Sequence, residues 1–429
     1  MKLAGRIAAA IEVIAEIQER NRPASEALRD WGKAHRFAGS GDRHVIGTLV
    51  FDTLRHRNSS AARIDADSAR GVVLGTLSNV WKLPAGEIAS LCTEQFGPGA
   101  LTAAEQKVLQ ASARTDLPPH IIGDYPEWLT PELTKMFGDR LVPEMQALAE
   151  RAPIDLRVNT LKAKRDDMLA ALSKFGAGPT ALSPDGIRIA APGTEAKSIN
   201  VEAEPAHGLG QFEVQDEASQ LAAILTGVRP GETVLDLCAG AGGKSLALAA
   251  LMRNSGKLVA YDRDRHRLRP IFERITRAGA SCIDVIPSDE SQKLERKEGY
   301  DLVVVDAPCT GSGTWRRKPD AKWRLKDKQL QIRMKEQVDV LAQAAPLVRL
   351  GGRLAYFTCS ILPSENDGRV ATFLKANPEF EVVSVTEQWK HVLPSPSVTS
   401  ANGRTATLQL TPLDHGTDGF FVALLRRKA

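Results

Sequence analysis

The sequence predicts a multidomain protein: an all-helical domain over residues 1–140, a small α+β connector module over 141–225, and an α/β domain over 226–429 carrying a mostly parallel, seven-stranded sheet. Three observations carry that prediction. At 429 residues the chain exceeds what one hydrophobic core ordinarily organises, so two or three domains are expected. Up to about position 140 the apolar residues recur at helical spacing without strand alternation. From about 226, apolar runs of strand length alternate with helical stretches, as a parallel sheet covered on both faces requires.

In the first segment Leu3, Ile7, Ile11 and Ile14 mark one helical stripe, and Val45, Leu49 and Leu54 another. After 143–153 the pattern changes. Ile154, Leu156 and Val158 alternate with Asp155, Arg157 and Asn159, a half-buried strand; Met168, Leu169, Leu172 and Phe175 then form a helix stripe that Gly176 ends. Pro184-Asp185-Gly186 is a turn before a short strand at Ile187 and Ile189. In the third segment strands are expected at 233–237, 257–262, 281–286, 302–306 and 353–357, with two more at 380–385 and 419–425 after the last crossover. The clearest intervening helix covers roughly 328–348, and the Pro/Ser-rich stretch 393–400 reads as a surface loop.

Composition narrows the class. With 43% hydrophobic and 25% charged residues the chain is globular, and no apolar run approaches the roughly 18 residues of a membrane span. Glu12, Glu16 and Glu19 interrupt the N-terminal apolar stretch, which is wrong for a signal peptide, so a cytoplasmic monomer without a membrane partner is expected. Five cysteines at 92, 238, 282, 309 and 359 show neither C-x-x-C nor zinc-ligand spacing; the expectation is free thiols and no metal. A net charge of +4 says little about nucleic acid, but nine Lys or Arg against two Asp fall between Arg316 and Lys335. Because that run directly follows Cys309, Arg316, Arg317, Lys318 and Arg324, with Trp323 among them, are candidate contacts to nucleic acid.

The strand expected at 233–237 runs into Cys238-Ala239-Gly240-Ala241-Gly242-Gly243-Lys244-Ser245 and then a helix. A glycine-rich turn lets a ligand reach backbone N–H groups at a helix N-terminus, which implies a nucleotide-like ligand without saying which. A P-loop ATPase would need glycine where Cys238 stands, although Gly243-Lys244-Ser245 and the acid-ended run 302–306 imitate its motifs. A dinucleotide fingerprint counted from Gly240 would need glycine at Ser245, and hydride transfer leaves the cysteines unexplained. S-adenosylmethionine places its methionine moiety at such a turn and wants a carboxylate for its ribose at the end of the next strand. Asp262 stands there, with helix N-capping as its alternative role. Asp289, just past the third strand, is the candidate for the adenine edge and equally an ordinary loop residue.

Cys309 in Asp306-Ala307-Pro308-Cys309 and Cys359 in Thr358-Cys359-Ser360 each follow an apolar run at the expected mouth of the sheet, where open α/β sheets do chemistry. Beside a methyl donor, a thiolate has a particular use. Cytosine C5 is a poor nucleophile, but thiolate addition at C6 makes the ring enamine-like, so that C5 can attack a methyl group; a base then takes the C5 proton and the sulfur is eliminated. Lys244 and the Arg316/Arg317 pair are the cations available to lower a thiol pKa, and Asp306 is placed to hydrogen-bond N3 or the exocyclic amine of cytosine. Spacing leaves open which cysteine attacks. Cys92 and Cys282 read as small buried hydrophobes, and Cys238 as at least a wall of the cofactor pocket.

Asp236-Leu237-Cys238-Ala239-Gly240-Ala241-Gly242-Gly243-Lys244, Asp306-Ala307-Pro308-Cys309-Thr310-Gly311-Ser312-Gly313, Arg316-Arg317-Lys318-Pro319-Asp320 with Trp323, and Tyr356-Phe357-Thr358-Cys359-Ser360 with Glu365-Asn366 together resemble the RsmB/Nop2/Sun family of RNA cytosine-5 methyltransferases. Leu156-Arg157-Val158-Asn159-Thr160 and Val214-Gln215-Asp216-Glu217-Ala218-Ser219 resemble its preceding RNA-binding module, and Asp418-Gly419-Phe420-Phe421 its final strand. The resemblance implies a Rossmann-like class I methyltransferase domain, with S-adenosylmethionine contacts from Cys238, Ala239, Gly240, Ala241, Gly242, Gly243, Lys244, Asp262, Asp289 and Asp306. It also implies Cys359 as nucleophile and Cys309 as the group that assists release. Asp42-Arg43-His44 and the segment from Leu49 to Arg55 look like the NusB-like domain of the bacterial RsmB branch, which implies 16S ribosomal RNA; transfer RNA and a non-catalytic assembly role are the alternatives. The family usually has proline where this chain has Ala241, so the loop lacks that ring's fixed φ.

Overall fold

A computed structural model of the protein describes residues 1–112, 114–191, 193 and 199–429. The chain divides into two compact units. The first comprises Met1–Arg151 together with Trp315–Leu325. Its secondary structure is helical among the described residues, and of the stripes foreseen in the sequence Ile7, Ile14, Leu49 and Leu54 are buried in its core, with Leu3 and Ile11 partly buried against it and Val45 outside it; Val13 of the helix Leu3–Arg20, Val50 of Ser40–Arg55 and Leu74 and Leu77 of Ala69–Asn79 complete that core.

The far segment of this unit was read from the sequence as a basic stretch of the α/β domain. Its short helix Pro319–Arg324 instead docks on the N-terminal helices: the Trp323 indole N–H donates to Leu54 O at 2.5 Å, and Lys322 Nζ donates to Arg55 O at 3.0 Å. Burial pulls the Lys322 ammonium down to about 8.

The second unit comprises Ala152–Ala191, Ile199–Thr314 and Lys326–Ala429, apart from residues outside the described set. It opens with a four-stranded antiparallel sheet in the order β2-β3-β1-β4, made by β1 (Ile154–Val158), β2 (Gly178–Pro179), β3 (Gly186–Ile189) and β4 (Phe212–Val214). The half-buried reading of β1 is corrected, because its polar alternates are buried too. Asp155 accepts two hydrogen bonds from Arg188 at 2.7 Å each, and Arg157 Nε donates to Gln215 Oε1 at 2.7 Å. Paired polar groups can occupy a buried face that an alternation pattern assigns to water.

The large sheet contains β5 (Thr233–Asp236), β6 (Lys257–Ala260), β7 (Ile283–Val285), β8 (Tyr300–Asp306), β9 (Val348–Thr358), β10 (Phe380–Val383), β11 (Leu408–Leu410) and β12 (Phe420–Arg427). The order is β10-β12-β9-β8-β5-β6-β7, with β11 paired to β12. Strands β5 to β9 run parallel, whereas every pairing of β12 is antiparallel. The expected seven-stranded sheet therefore has eight strands. The missed one, Leu408–Leu410, is three residues long and carries no periodic signal of its own. From β5 the strands β6 and β7 are added on one side and β8 and β9 on the other, and the crevice beyond the C-terminal ends of β5 and β8 is where ligands enter such folds. No helix among the described residues is long and apolar enough to cross a membrane.

Candidate active site

Strand β5 is buried through Val234, Leu235 and Asp236, and the chain leaves it through the glycine turn into the helix Gly243–Leu251. Gly240 at φ +50° and Gly242 at φ +87° have left-handed backbone, and a Cβ on Gly242 would lie 2.5 Å from Ile271 Cγ1. Ala241, lacking proline's ring, is tethered from outside: Arg274 Nη1 donates to its carbonyl at 2.8 Å. Asp236 beneath the turn is 0% exposed and accepts from Ser245 Oγ at 2.7 Å, and burial pushes its carboxyl up to about 7.

The end of β6 carries Asp262. Its Oδ2 accepts the Gly240 N–H at 3.0 Å and its Oδ1 the Asp264 N–H at 2.8 Å, with Arg267 Nη1 at 3.6 Å. Asp264, not Asp262, caps the helix Arg265–Leu268, accepting from His266 N, so the capping alternative for Asp262 falls to its neighbour. Asp289 is exposed on the turn after β7 and does not line the central cavity.

Strand β8 delivers Asp306 and, three residues on, Cys309; β9 delivers Cys359. The two sulfurs are 3.4 Å apart. That is contact distance for a thiol hydrogen bond and too long for a disulfide, and both cysteines are free. Cys309 is pushed well above its ordinary value by its hydrogen bond to Cys359 and by burial. Cys238 is also pushed well up, by burial and then by the carboxylates of Asp236, Asp262 and Asp306.

Lys244 bridges the glycine turn to β8. Its side chain is 5% exposed, its Nζ donates to Asp306 Oδ2 at 3.1 Å and to Ser219 Oγ at 2.6 Å, and it lies 4.7 Å from the Phe420 ring centroid. A cavity of about 530 Å³ opens onto these strand ends, walled by Cys238, Asp262, Asp306, Cys309 and Cys359 and closed on one side by the helix Asp327–Ala344. Its size is that of a small-molecule site. A carboxylate at the end of β6, a backbone turn held open by glycine and several acids facing the space suit the ribose and cationic sulfonium of S-adenosylmethionine.

The cysteine loops are held by polar groups that sequence reasoning did not single out. Glu365 bonds Thr310 and Ser360; Ser312 and Ser360 hydroxyls meet at 2.9 Å; Asn366 bridges Thr358 at 2.6 Å and Ser360 O at 2.9 Å. Gly313 lies so close to Gly419 that a Cβ would fall 1.9 Å from the Gly419 carbonyl oxygen, and Gly419 N donates to Gly313 O at 2.8 Å. The signal for this network was the motifs around Cys309, Cys359 and Gly419, with the Glu365-Asn366 pair, which named its members but not their bonds. The RNA-contact candidates lie in the helical unit: Arg316 is buried, Trp323 packs against the helical core, Arg324 pairs with Asp320 at 2.8 Å, and Lys318 is exposed.

A family model described as the 16S rRNA methyltransferase RsmB/F matches residues 223–426, and one described as the RsmF/B-like ferredoxin-like domain matches 125–194. The probable ribosomal RNA small subunit methyltransferase B of Bacillus subtilis is 33% identical over 309 residues, 71% of this chain and 66% of that protein. Ribosomal RNA small subunit methyltransferase B of Sodalis glossinidius is 32% identical over 322 residues, 74% of this chain and 69% of that protein. The chain thus spans about two thirds of the length of these curated relatives. The crystal structure of PH0851 is similar at a TM-score of 0.74 and 26% identity, over 99% of both chains. With the glycine turn, both cysteine loops and the final strand inside the matched region, this chain belongs to the RsmB/F family of ribosomal RNA methyltransferases.

Proposed function

We propose that the protein transfers the methyl group of S-adenosylmethionine to C5 of a cytosine in RNA, with small-subunit (16S) ribosomal RNA as substrate, through a covalent bond from Cys359 to C6. The observation that carries this reading is the pair of thiols in contact at the ends of β8 and β9, opening on a cavity also lined by Asp262, Asp306 and Cys238, the first residue of the glycine turn. When bound, the cofactor supplies an electrophilic methyl group. The protein's own residues do the rest. The Cys359 thiolate adds to C6 and the ring's electron pair is displaced toward C5, making that carbon nucleophilic. Asp306 orients the cytosine edge and Lys244 holds Asp306. After transfer the C5 proton leaves to a base, the C5=C6 double bond re-forms and the Cys359 thiolate departs, with Cys309 assisting that release.

In this proposal the turn from Cys238 to Lys244, together with Asp262, Asp289 and Asp306, holds the cofactor. Lys318, Arg317 and their neighbours contact RNA, the helical unit acts as a NusB-like RNA-binding domain, and the protein works as a cytoplasmic monomer. The family membership and the relatives' names support the choice of substrate. The test is to incubate purified protein with labelled S-adenosylmethionine and small-subunit rRNA, then map the product by bisulfite sequencing. Label at a single cytosine C5 supports the proposal, and label on another base or atom overturns it.

A further inference from the structure

The helix Asp327–Ala344 has a cavity on each side. Glu336, Asp339, Val340 and Gln343 face the one at the strand ends; Val338, Leu341 and Ala342 face another, of about 410 Å³, against the helix Asp367–Ala376. The two share no lining residue. The second is walled mostly by hydrocarbon, with Leu341, Ala345 and Phe373 on its buried side, and its size is that of a small-molecule site. Arg369 sets it apart. This residue lines the cavity and is only 7% exposed, yet its guanidinium makes no hydrogen bond or ion pair among the described residues, and its Nε is sealed from water. The carboxylates nearest in sequence are spent elsewhere. Asp367 accepts from Thr407 Oγ1 at 2.8 Å and Asn402 Nδ2 at 2.9 Å, and Glu365 accepts from Thr310, Ser360 and Gln337. Buried arginines are ordinarily paired, because a lone charge taken out of water destabilises the fold. Arg427 on the same wall has a buried Nε without a partner as well, and exposed Glu379 is the one acid lining the cavity, so two guanidiniums face one carboxylate.

We propose that this cavity is a second ligand site, for a small organic carboxylate whose charge meets Arg369 and whose hydrocarbon body lies along Leu341 and Phe373. A guanidinium fork matches the two oxygens of a carboxylate. A phosphate would want more donors than the walls have left. Arg427 Nη1 already donates to Val348 O at 2.7 Å, Thr372 Oγ1 to Gly368 O at 2.8 Å and Asn377 Nδ2 to Phe373 O at 2.9 Å. A single charge on an apolar body uses both what Arg369 lacks and what the hydrocarbon wall offers. The site lies apart from the glycine turn and both cysteines, so it stands whatever base the enzyme methylates.

The experiment titrates the full chain by calorimetry with octanoate, and in parallel with 1-octanol and with inorganic phosphate. Octanoate should bind at one molecule per chain, with S-adenosylmethionine present or absent, and raise the thermal midpoint. Arg369→Met should weaken that binding at least about tenfold, the worth of a charge-assisted hydrogen bond. Having lost a buried, unpaired charge, the same variant should melt no lower than the wild type. Ala342→Trp, at an exposed position on the rim, should block binding by filling the cavity. Octanol bound as tightly as octanoate would reduce the site to an apolar cleft, and phosphate bound as tightly would reduce it to a plain anion site; either overturns the proposal. So would the lack of octanoate binding, binding that Arg369→Met leaves unchanged, or competition from S-adenosylmethionine, which would place octanoate in the other cavity. If Arg369→Met melts lower, Ala342→Trp decides alone, and octanoate binding retained there overturns the proposal.

Discussion

Lys244 Nζ lies 3.1 Å from Asp306 Oδ2, so the first helix after the glycine turn is tied by an ion pair to the strand that carries Cys309. The two partners differ in exposure: the Lys244 side chain is nearly enclosed, between Ser219 and the faces of Phe357 and Phe420, and Asp306 is a third exposed to the cavity. The lysine is thus held on three sides while the carboxylate keeps an edge for substrate.

Removing the ammonium should free that carboxylate to drift. Lys244→Met is expected to lower single-turnover methylation about 10²-fold, corresponding to about 3 kcal/mol of lost positioning and charge stabilisation. The double variant Lys244→Met/Asp306→Asn should be little worse than the poorer single variant, since both remove one interaction. Additive losses would show that the two residues act separately.

Cys359→Ala should abolish turnover. Cys309→Ala should instead trap a protein–RNA adduct that survives a denaturing gel, because attack persists while release fails. A Cys359→Ala enzyme with near-normal turnover sinks the nucleophile assignment, and the lack of any adduct with Cys309→Ala leaves that thiol a structural group.

Gly242→Ala places a Cβ 2.5 Å from Ile271 Cγ1 at φ +87°. Left-handed strain and overpacking together should cost about 2–4 kcal/mol, read as a lower urea midpoint. Gly243→Ala is the control: the nearest atom to its added Cβ is Gln215 Nε2 at 3.6 Å, so its midpoint should move by less than about 1 kcal/mol.

Asp236 gives a pH signature. Its folded-state carboxyl titrates at about 7, above the ordinary value near 3.8, so between those values the folded protein binds the extra proton. Stability from this group should therefore fall as pH rises from about 4 to 7 and level off above, by an upper bound of about 4 kcal/mol. Asp236→Asn should flatten that slope in thermal unfolding scans. A slope identical to the wild type would assign the pH dependence to other groups.

The candidate site was legible in the sequence to the extent that its parts are local. A buried strand ending in a glycine turn, an acid at the end of the next strand and a cysteine beyond each of two further strands are patterns of a few residues, and backbone sterics with hydrophobic periodicity suffice to write them. The same reasoning failed where residues distant in sequence decide the outcome. Arg157 looked like a solvent-facing residue until Gln215 supplied its partner, and nothing near Trp323 in the sequence foretold that Leu54 would accept its indole N–H.

By itself, then, the sequence determined the parallel strand–helix alternation, the glycine turn and the placing of both thiols at strand ends. Tertiary structure alone decided that the thiols touch, that Glu365 clamps both of their loops, that Lys244 pairs with Asp306, and that Trp315–Leu325 belongs to the helical unit. The reason is physical. Periodicity and turn chemistry act over one or two turns of chain, whereas a buried charge or thiol takes its character from whichever remote groups the packed core brings within about 3 Å of it.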